Sequence, residues 1–396
     1  MKIHLTKAGE GLSDIAKEYG VDEEIIRNIN EIKWGEPTEG EELLIIKPTR
    51  TYTAQYGDSV ERIALRFDIP RRDIYLLNPH LCNKEITVGE KIILRSGERS
   101  HGMNVANGYF YKGCGKEEFK RALPYLTYVT FASAIADKNG VKKTFDDQMW
   151  VNWAIKEEKI PLLRVYDKHT ERFKSKCDQS DFADNLIKAA KDGGYKGIVL
   201  NSNIFSDSAE NFVEFLMILR KQMIGCDLIL ITEADENTPY EFCDYADGGM
   251  LYYPKYSMEN AKSFEEAERR ILADFACNSE SAKTFVDIPS LAMMGRSFIT
   301  ISEACEKARN NRYTISQDEN TLLSHFGDRK QGECRFLSLR GLNELFELVK
   351  EFDFMGVCFD IMRTPLSHLL MYNSLFKSYY ATSVRSREGC SRADGE

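Results

Sequence analysis

The sequence predicts an α/β protein in which a closed barrel of eight parallel strands follows two small α+β domains. The first 96 residues contain an internal repeat, and each copy has the pattern strand, helix, helix, strand. From about residue 104, short apolar runs alternate with helical patterns, which favours a parallel sheet covered by helices. The chain has 396 residues, more than one hydrophobic core usually covers, and this also indicates several domains.

Composition and charge exclude several classes of protein. The chain is 43% hydrophobic and 29% charged, which is typical of a soluble globular protein. Its net charge of −9 argues against binding to nucleic acid or to an anionic membrane surface. No apolar run approaches the roughly 18 residues that a membrane span requires. The first residues lack the apolar core of a signal peptide, so we expect synthesis in the cytoplasm without one.

The ten cysteines are scattered along the chain, and none forms a CxxC pair. This usage is typical of reduced thiols in a protein made in a cytosol. The spacing of zinc ligands is absent. The sequence therefore predicts neither a metal site nor a cofactor.

The repeat divides the N-terminal region into a first module at residues 1–48 and a second at 50–96. In both copies a glycine-containing turn precedes the first helix. A second such turn, at Gly40 or Gly89, precedes the closing strand. A polar linker from Ser96 to Gly102 separates the modules from the predicted barrel, residues 103–380. The tail, residues 381–396, has no periodicity, and we expect it to be disordered.

Over their whole length, both modules resemble LysM domains. The resemblance implies binding of peptidoglycan or chitin-type glycans that contain N-acetylglucosamine, in a shallow groove between two loops. The first module has Gly-Glu-Gly where the family has Gly-Asp-Thr. The alternative is that these polar residues only cap helices. The implied glycan-binding residues are Gly9, Glu10, Gly11, Leu12, Asn30, Glu31 and Ile32 in the first module, and Gly57, Asp58, Ser59, Val60, Asn78, Pro79, His80 and Leu81 in the second.

Eight apolar segments after the linker are candidate barrel strands. An open, doubly wound sheet is the alternative, but no G-x-G-x-x-G pattern follows the first strand. An insertion with a short hairpin-like pattern is expected at residues 312–336, between the last two strands. The predicted strands are Asn104–Tyr111, Leu126–Ala132, Pro161–Tyr166, Gly197–Ser202, Asp227–Thr232, Gly248–Tyr253, Thr284–Ile288 and Met355–Phe359.

The run from Gly194 to Asn203 is a glycine-bounded apolar segment that ends in polar residues, which is typical of a buried parallel strand. It resembles the fourth strand of the TIM barrel of family-18 (chitinase-like) glycoside hydrolases, whose motif is D-G-x-x-x-D-x-E. In this chain the three acidic positions of that motif are Lys196, Asn201 and Asn203.

The family's chemistry is substrate-assisted: a Glu protonates the leaving oxygen, and an Asp two residues earlier orients the acetamido group. An amide at residue 203 cannot donate a proton near neutral pH, and general acid catalysis is worth about 10²–10⁴-fold. Two further family positions also differ, with Tyr253 replacing an Asp and Asp360 replacing a Trp. We therefore expect a barrel that is non-catalytic or at most weakly active in this chemistry.

Three hypotheses remain open for the barrel. Its mouth could still bind a sugar or serve in assembly, through Asn201, Asn203, Tyr252 and Tyr253. The alternative is an active glycoside hydrolase whose catalytic carboxylates have moved to Asp167, Glu233 and Asp360, which follow other strands. A structural coat protein without glycan affinity is a third hypothesis.

As a whole, the chain resembles the spore cortex-lytic and spore-coat branch of the family-18 proteins. The resemblance implies a location in the spore coat, the cortex or the cell envelope, with other spore or envelope proteins as possible partners. A cytoplasmic location is the alternative.

Overall fold

The computed structural model describes most of the chain. The predicted tail, together with Asn203 and Tyr253, lies outside the described residues. The described ranges are residues 1–97, 103–137, 140–167, 176–201, 209–234, 240–252, 263–264, 268–328 and 330–378.

Each N-terminal module is a two-stranded antiparallel sheet covered by two helices, as the repeat predicts. The first module pairs Lys2–Leu5 with Glu42–Ile45, and the second pairs Pro48–Thr53 with Lys91–Ser96. The helices are Leu12–Tyr19 and Glu23–Ile29 in the first module, and Val60–Phe67 and Arg71–Leu77 in the second, which also has a short 3-10 helix, Pro79–Cys82.

The two modules are also alike in their hydrogen bonds. The Asn30 side chain donates to the Leu44 carbonyl at 3.0 Å and accepts from the Leu44 N–H at 2.7 Å. In the second module, the Asn78 side chain makes the same two bonds with Ile93, at 2.7 and 2.8 Å. In each module, one buried or half-buried amide thus fastens the end of the second helix to the closing strand.

Eight parallel strands form the closed barrel that the sequence predicts. Each pairs with the next around the ring, and pairing of the first strand with both the second and the eighth closes it. In chain order, barrel strands 1 to 8 are Met103–Phe110, Tyr128–Asp137, Ile160–Asp167, Gly197–Asn201, Ile229–Ala234, Gly248–Leu251, Thr284–Asp287 and Gly356–Asp360.

Helices pack outside the barrel through their apolar faces. Ser338 caps one of them, since its hydroxyl accepts the Gly341 N–H at 3.0 Å. Short strands, Gly140–Lys143 and Lys377–Ser378, extend the sheet beside barrel strands 2 and 1. The α-helices of this region are Lys116–Ala122, Gln148–Lys156, Lys176–Asp192, Ala209–Gln222, Arg270–Asn278, Leu339–Glu351 and Leu366–Leu375, and the 3-10 helices are Leu123–Tyr125, Tyr240–Tyr245 and Ser281–Lys283.

The insertion between barrel strands 7 and 8 is larger than the sequence predicts. The predicted hairpin is present, but it belongs to a five-stranded antiparallel sheet that begins at Leu291. A helix, Ile301–Asn311, packs on this sheet and gives the insertion a small core of its own. The strands are Leu291–Met294, Ser297–Thr300, Ser316–Gln317, Leu323–Asp328 and Gly332–Leu337.

The first module packs against this insertion. Glu41 and Arg309 form a buried ion pair, with 3.0 Å between Arg309 Nε and Glu41 Oε1. The Ile315 N–H donates to the carbonyl of residue 39 at 2.9 Å, and Gln317 donates to the Gly40 carbonyl at 2.8 Å. The module is therefore held to the barrel by polar contacts as well as by apolar ones.

No helix in the described part of the chain is long and apolar enough to cross a membrane.

Candidate functional sites at the barrel mouth and the module loops

A layer of buried apolar side chains lies across the interior of the barrel. Residues two positions apart on a strand share a face. The residues two positions after the apolar layer therefore also point inward, at the carboxyl ends of the strands. The apolar layer is Tyr109, Leu162, Val199, Ile231, Met250, Phe285 and Cys358. The layer above it, which we call the mouth, is Tyr111, Arg164, Asn201, Glu233, Tyr252, Asp287 and Asp360.

Glu233 is the most enclosed charged group of the mouth, with no exposed surface. Arg164, which is 8% exposed, binds both carboxylate oxygens, through Nε and, at 2.7 Å, through Nη2. Tyr252 donates to Glu233 Oε1 at 2.9 Å, and Asn201 donates to Oε2 at 3.1 Å. Four donors therefore hold this carboxylate in place as a hydrogen-bond acceptor, which argues against a role as a general acid.

The structure brings part of the predicted mouth together. Asn201 and Tyr252 meet at Glu233, whereas Asn203 and Tyr253 lie outside the described residues. Lys196, the first position of the family-18 motif, precedes the same strand at its opposite end. There it is exposed, with its ammonium 3.7 Å from an Asp227 carboxylate oxygen.

The three carboxylates of the relocated-site hypothesis, Asp167, Glu233 and Asp360, have different surroundings. Asp360 caps the turn after barrel strand 8, where it accepts the Met362 N–H at 3.0 Å and pairs with Arg363 at 3.2 Å. Burial raises the pKa of the Asp360 carboxyl, although Arg363 opposes the shift. Asp167 ends barrel strand 3, and its side chain lies outside the described part of the chain.

Sequence reasoning missed Asp287, the last residue of barrel strand 7. Burial raises the pKa of this carboxyl well above its usual range, and the negative charges of Asp360 and Glu233 raise it further. A carboxylic acid that keeps its proton at the mouth of a barrel can donate a hydrogen bond or a proton. Strand alternation from Phe285 could have identified it, because Asp287 lies two residues later in the same predicted strand and shares that residue's inward face.

The predicted glycan-binding loops differ in what they expose. Gly9 and Gly57 are exposed, and their backbone groups can reach a ligand. Several implied side chains are instead buried and hold the loops from below: Leu12, Ile32, Val60, Asn78, Pro79 and Leu81. Glu10 and Asp58 accept backbone N–H groups of their own turns, from Lys7 at 2.8 Å and Gln55 at 2.7 Å.

Two further implied residues make contacts within the chain. Glu31 accepts hydrogen bonds from Arg121 and, at 2.9 Å, from the Leu366 N–H, so it anchors the first module to the barrel. Both donors belong to the barrel domain rather than to the module. His80 lies 3.0 Å from a Glu90 carboxylate oxygen within the second module.

Sequence reasoning also missed two exposed aromatic residues beside the loops. Trp34 follows the second helix of the first module and is 83% exposed. Tyr56 immediately precedes Gly57 in the second module and is 95% exposed. Exposed aromatic side chains beside a glycan groove offer flat apolar faces on which a sugar ring can pack. Their position next to the implied loops was the available signal.

Together, the repeat and the barrel define the class of protein: two LysM domains in front of a TIM barrel. The LysM domain model matches residues 4–45 and 52–95, so the prediction of tandem LysM domains is confirmed. Among the described residues, no group of three or more histidine, cysteine, aspartate or glutamate side chains is arranged to hold a metal ion.

Solved structures confirm the barrel fold. The spore cortex-lytic enzyme SleL of Bacillus cereus aligns with a TM-score of 0.73 at 18% identity, covering 96% of this chain and 99% of that one. SleL of Bacillus megaterium QM B1551 gives 0.72 at 17% identity, covering 96% and 98%. A chitinase of Chromobacterium violaceum gives 0.59 at 14% identity, covering 68% and 98%. At these identities, the likeness shows the fold alone.

One curated relative is similar in sequence. It is YdhD of Bacillus subtilis (strain 168), named as a candidate sporulation-specific glycosylase, and it is 21% identical over 257 residues. The match covers 61% of this chain and 60% of the relative's length.

Proposed function

We propose that this chain binds a peptidoglycan or chitin-type glycan through its two LysM domains, and that its barrel does not carry out acetamido-assisted hydrolysis. The observation that carries the second part is the hydrogen bond from Asn201 to Glu233. Asn201 stands where family-18 enzymes have the Asp of the motif, and its amide serves a carboxylate that Arg164 and Tyr252 also hold. At the Glu position of the motif, this chain has the amide of Asn203.

The glycan-binding part is supported by the two modules themselves. Both expose glycine turns beside an aromatic residue, Trp34 or Tyr56, and both keep their loops in place through internal hydrogen bonds. The names of the similar proteins refer to spore cortex lysis, sporulation and chitin cleavage, which fits a glycan of this class. We further propose a location in the spore cortex, the coat or the cell envelope, with other proteins of that layer as partners.

Retention on insoluble, purified peptidoglycan tests the binding. The full chain should sediment with the glycan. The double variant Trp34→Ala/Tyr56→Ala should bind the glycan at least tenfold more weakly, since each aromatic side chain supplies a large contact area. Tyr245→Ala is the matched control, because Tyr245 is an exposed tyrosine of the barrel domain. Absence of retention of the unaltered chain would contradict the proposal.

A second function is favoured by one observation. The raised pKa of Asp287, beside Asp360 at the mouth, is what a relocated general acid requires. An active glycoside hydrolase with rebuilt carboxylates is therefore the rival. Asp287→Asn would distinguish it from our proposal, because this substitution removes a proton donor without changing the size of the side chain.

A further inference from the structure

A cleft of about 520 Å³ lies between the second LysM domain and the barrel. The helix Arg71–Leu77 forms one wall and the helix Gln148–Lys156 the other. Leu126 and Thr127, just before barrel strand 2, and Lys159, just before barrel strand 3, form its floor. The cleft is therefore at the end of the barrel opposite the mouth and is a separate site.

Hydrogen bonds across the cleft fix its walls. Arg72 Nε donates to the Pro124 carbonyl at 2.7 Å, and the buried Tyr125 hydroxyl donates to the Leu76 carbonyl at 3.0 Å. Both bonds join the second LysM domain to the barrel domain. The cleft is thus preformed, and a volume in the range of about 300–1,000 Å³ is typical of a small-molecule site.

The cleft is positively charged in a chain whose net charge is −9. Arg71 shares part of its charge with Glu157, at 3.5 Å, and with Glu61, at 3.7 Å. Lys120 lies over the Trp153 ring, 5.6 Å from its centroid. The lining contains five cationic side chains and two carboxylates, namely Arg71, Arg72, Lys120, Lys156, Lys159, Glu157 and Glu158.

Lys159 is the group that most needs an anion. Burial lowers the pKa of its ammonium to about 7, and the positive charge of Arg72 lowers it further, while Glu157 and Glu158 oppose the shift. A bound anion would favour the charged form of Lys159. The other titratable groups of the lining, Tyr75 and Cys82, do not compete near neutral pH, because burial raises the pKa of both, that of Cys82 to about 12.

The remaining lining is apolar and aromatic. Tyr75 and Trp153 are half-buried, and Leu123 and Pro124 also line the cleft. Such faces pack against the C–H faces of a sugar ring, whereas a bare inorganic ion uses none of them. The volume of the cleft likewise exceeds what a single small ion requires.

We propose that this cleft binds an acidic sugar, with the carboxylate among the lysine side chains and the sugar ring against Tyr75. That the ligand is a sugar rests on the proposed function, whereas the preference for an anion rests on the cleft. A carboxylated N-acetylhexosamine, such as the muramic acid unit of peptidoglycan, has this chemistry. The cleft would then add contacts to a strand that the LysM loops hold.

Calorimetric titration of the full chain that carries Trp34→Ala and Tyr56→Ala tests the proposal with three soluble probes, because these substitutions weaken binding at the LysM loops. N-acetylmuramic acid should bind, while N-acetylglucosamine, which lacks the carboxylate, and inorganic phosphate, which lacks the ring, should bind at least tenfold more weakly. Affinity for N-acetylmuramic acid should fall about tenfold from pH 6 to pH 8, because Lys159 loses its proton over this range. If N-acetylglucosamine binds as tightly as N-acetylmuramic acid, the proposed preference for an anion is wrong. If phosphate binds as tightly as N-acetylmuramic acid, the proposed preference for a sugar is wrong.

Variants locate the binding. Lys159→Gln and, separately, Lys156→Gln at the exposed rim should each weaken N-acetylmuramic acid binding about tenfold, and Lys188→Gln, an exposed lysine elsewhere on the barrel, should not. If Lys159→Gln fails to fold, Lys156→Gln alone decides. Unchanged binding in Lys156→Gln would then overturn the proposal.

Comparing the two assays separates this proposal from the proposed function. If the unaltered chain binds N-acetylmuramic acid but is not retained on peptidoglycan, glycan binding by the LysM domains is rejected and binding in the cleft is not. Retention without N-acetylmuramic acid binding would reject the cleft alone.

Discussion

Arg164 and Glu233 form a buried, bidentate ion pair across the mouth of the barrel, with Arg164 Nη2 2.7 Å from Glu233 Oε2. They lie on barrel strands 3 and 5, and barrel strand 4 runs between them. The guanidinium also lies 4.0 Å from the centroid of the Tyr166 ring. A pair so placed ties three strands together at the point where a barrel enzyme normally carries its chemistry.

Glu233→Gln should lower the free energy of unfolding by about 3–5 kcal/mol, because it leaves the Arg164 charge buried without its partner. Urea denaturation of the full chain measures this. Replacing both charges, with Arg164→Met and Glu233→Leu, should recover most of the loss, since no unpaired charge remains.

Glu351→Gln is the matched control for this pair. Glu351 is also bound by both nitrogens of an arginine, Arg269, but both partners are partly exposed, and we expect little change in stability. Equal effects in the two single variants would show that burial does not determine the strength of the Arg164–Glu233 pair.

Gly40 and Gly89 occupy equivalent turns of the two LysM domains, with φ of 78° and 88°. Alanine at either position should cost about 1–2 kcal/mol of backbone strain. A Cβ at Gly40 would also overlap the Ile315 carbonyl oxygen, whereas a Cβ at Gly89 would meet no atom within 4 Å. Gly40→Ala should therefore separate the first module from the insertion, and Gly89→Ala should not.

Calorimetric unfolding and small-angle scattering check this difference. Gly40→Ala should give an additional early unfolding transition and a larger radius of gyration, and Gly89→Ala only a small shift of the main transition. If the two variants behave alike, the contact with Ile315 does not hold the module in place.

Much of the fold could be predicted because its signals are local. A barrel strand such as Gly197–Asn201 is a glycine-bounded apolar run, and the repeat places equivalent residues, such as Asn30 and Asn78, in equivalent structural roles. The extent of the insertion could not be predicted, because strands as short as Leu291–Met294 have too few residues to show alternation.

The candidate site was less predictable than the fold, because its contacts are distant in sequence. Glu31 belongs to a loop with a glycan-binding pattern, yet its partners Arg121 and Leu366 lie 90 and 335 residues away. Glu233 similarly follows a predicted strand as a candidate catalytic residue, yet its partner Arg164 lies 69 residues away in sequence. A local pattern identifies the residues of a mouth but cannot show which of them already have partners.

The chain should release no reducing ends from peptidoglycan or chitooligosaccharides between pH 4 and pH 7, and Asp287→Asn and Asp360→Asn should match the unaltered chain. A reducing-end assay with an active chitinase as positive control measures this. Activity that Asp287→Asn abolishes would establish the rival function. Because burial raises the pKa of Asp287, such activity would be present below that pKa and would be lost as pH rises above it.

His368 makes stability depend on pH in the acidic range. It is 2% exposed, and burial lowers its pKa to about 3, against about 6.5 in an unfolded chain. Between these two values the unfolded state binds the additional proton, so the contribution of His368 to stability falls as pH falls. From pH 7 to pH 5 this contribution should decrease by about 2 kcal/mol.

His368→Phe should remove that share of the pH dependence, because a phenyl ring has nothing to protonate, while other acidic groups continue to titrate in both proteins. Urea denaturation at pH 7 and pH 5 therefore compares the difference between the two pH values in the unaltered chain and in the variant. An unchanged dependence in His368→Phe would mean that the buried ring is protonated in the folded state.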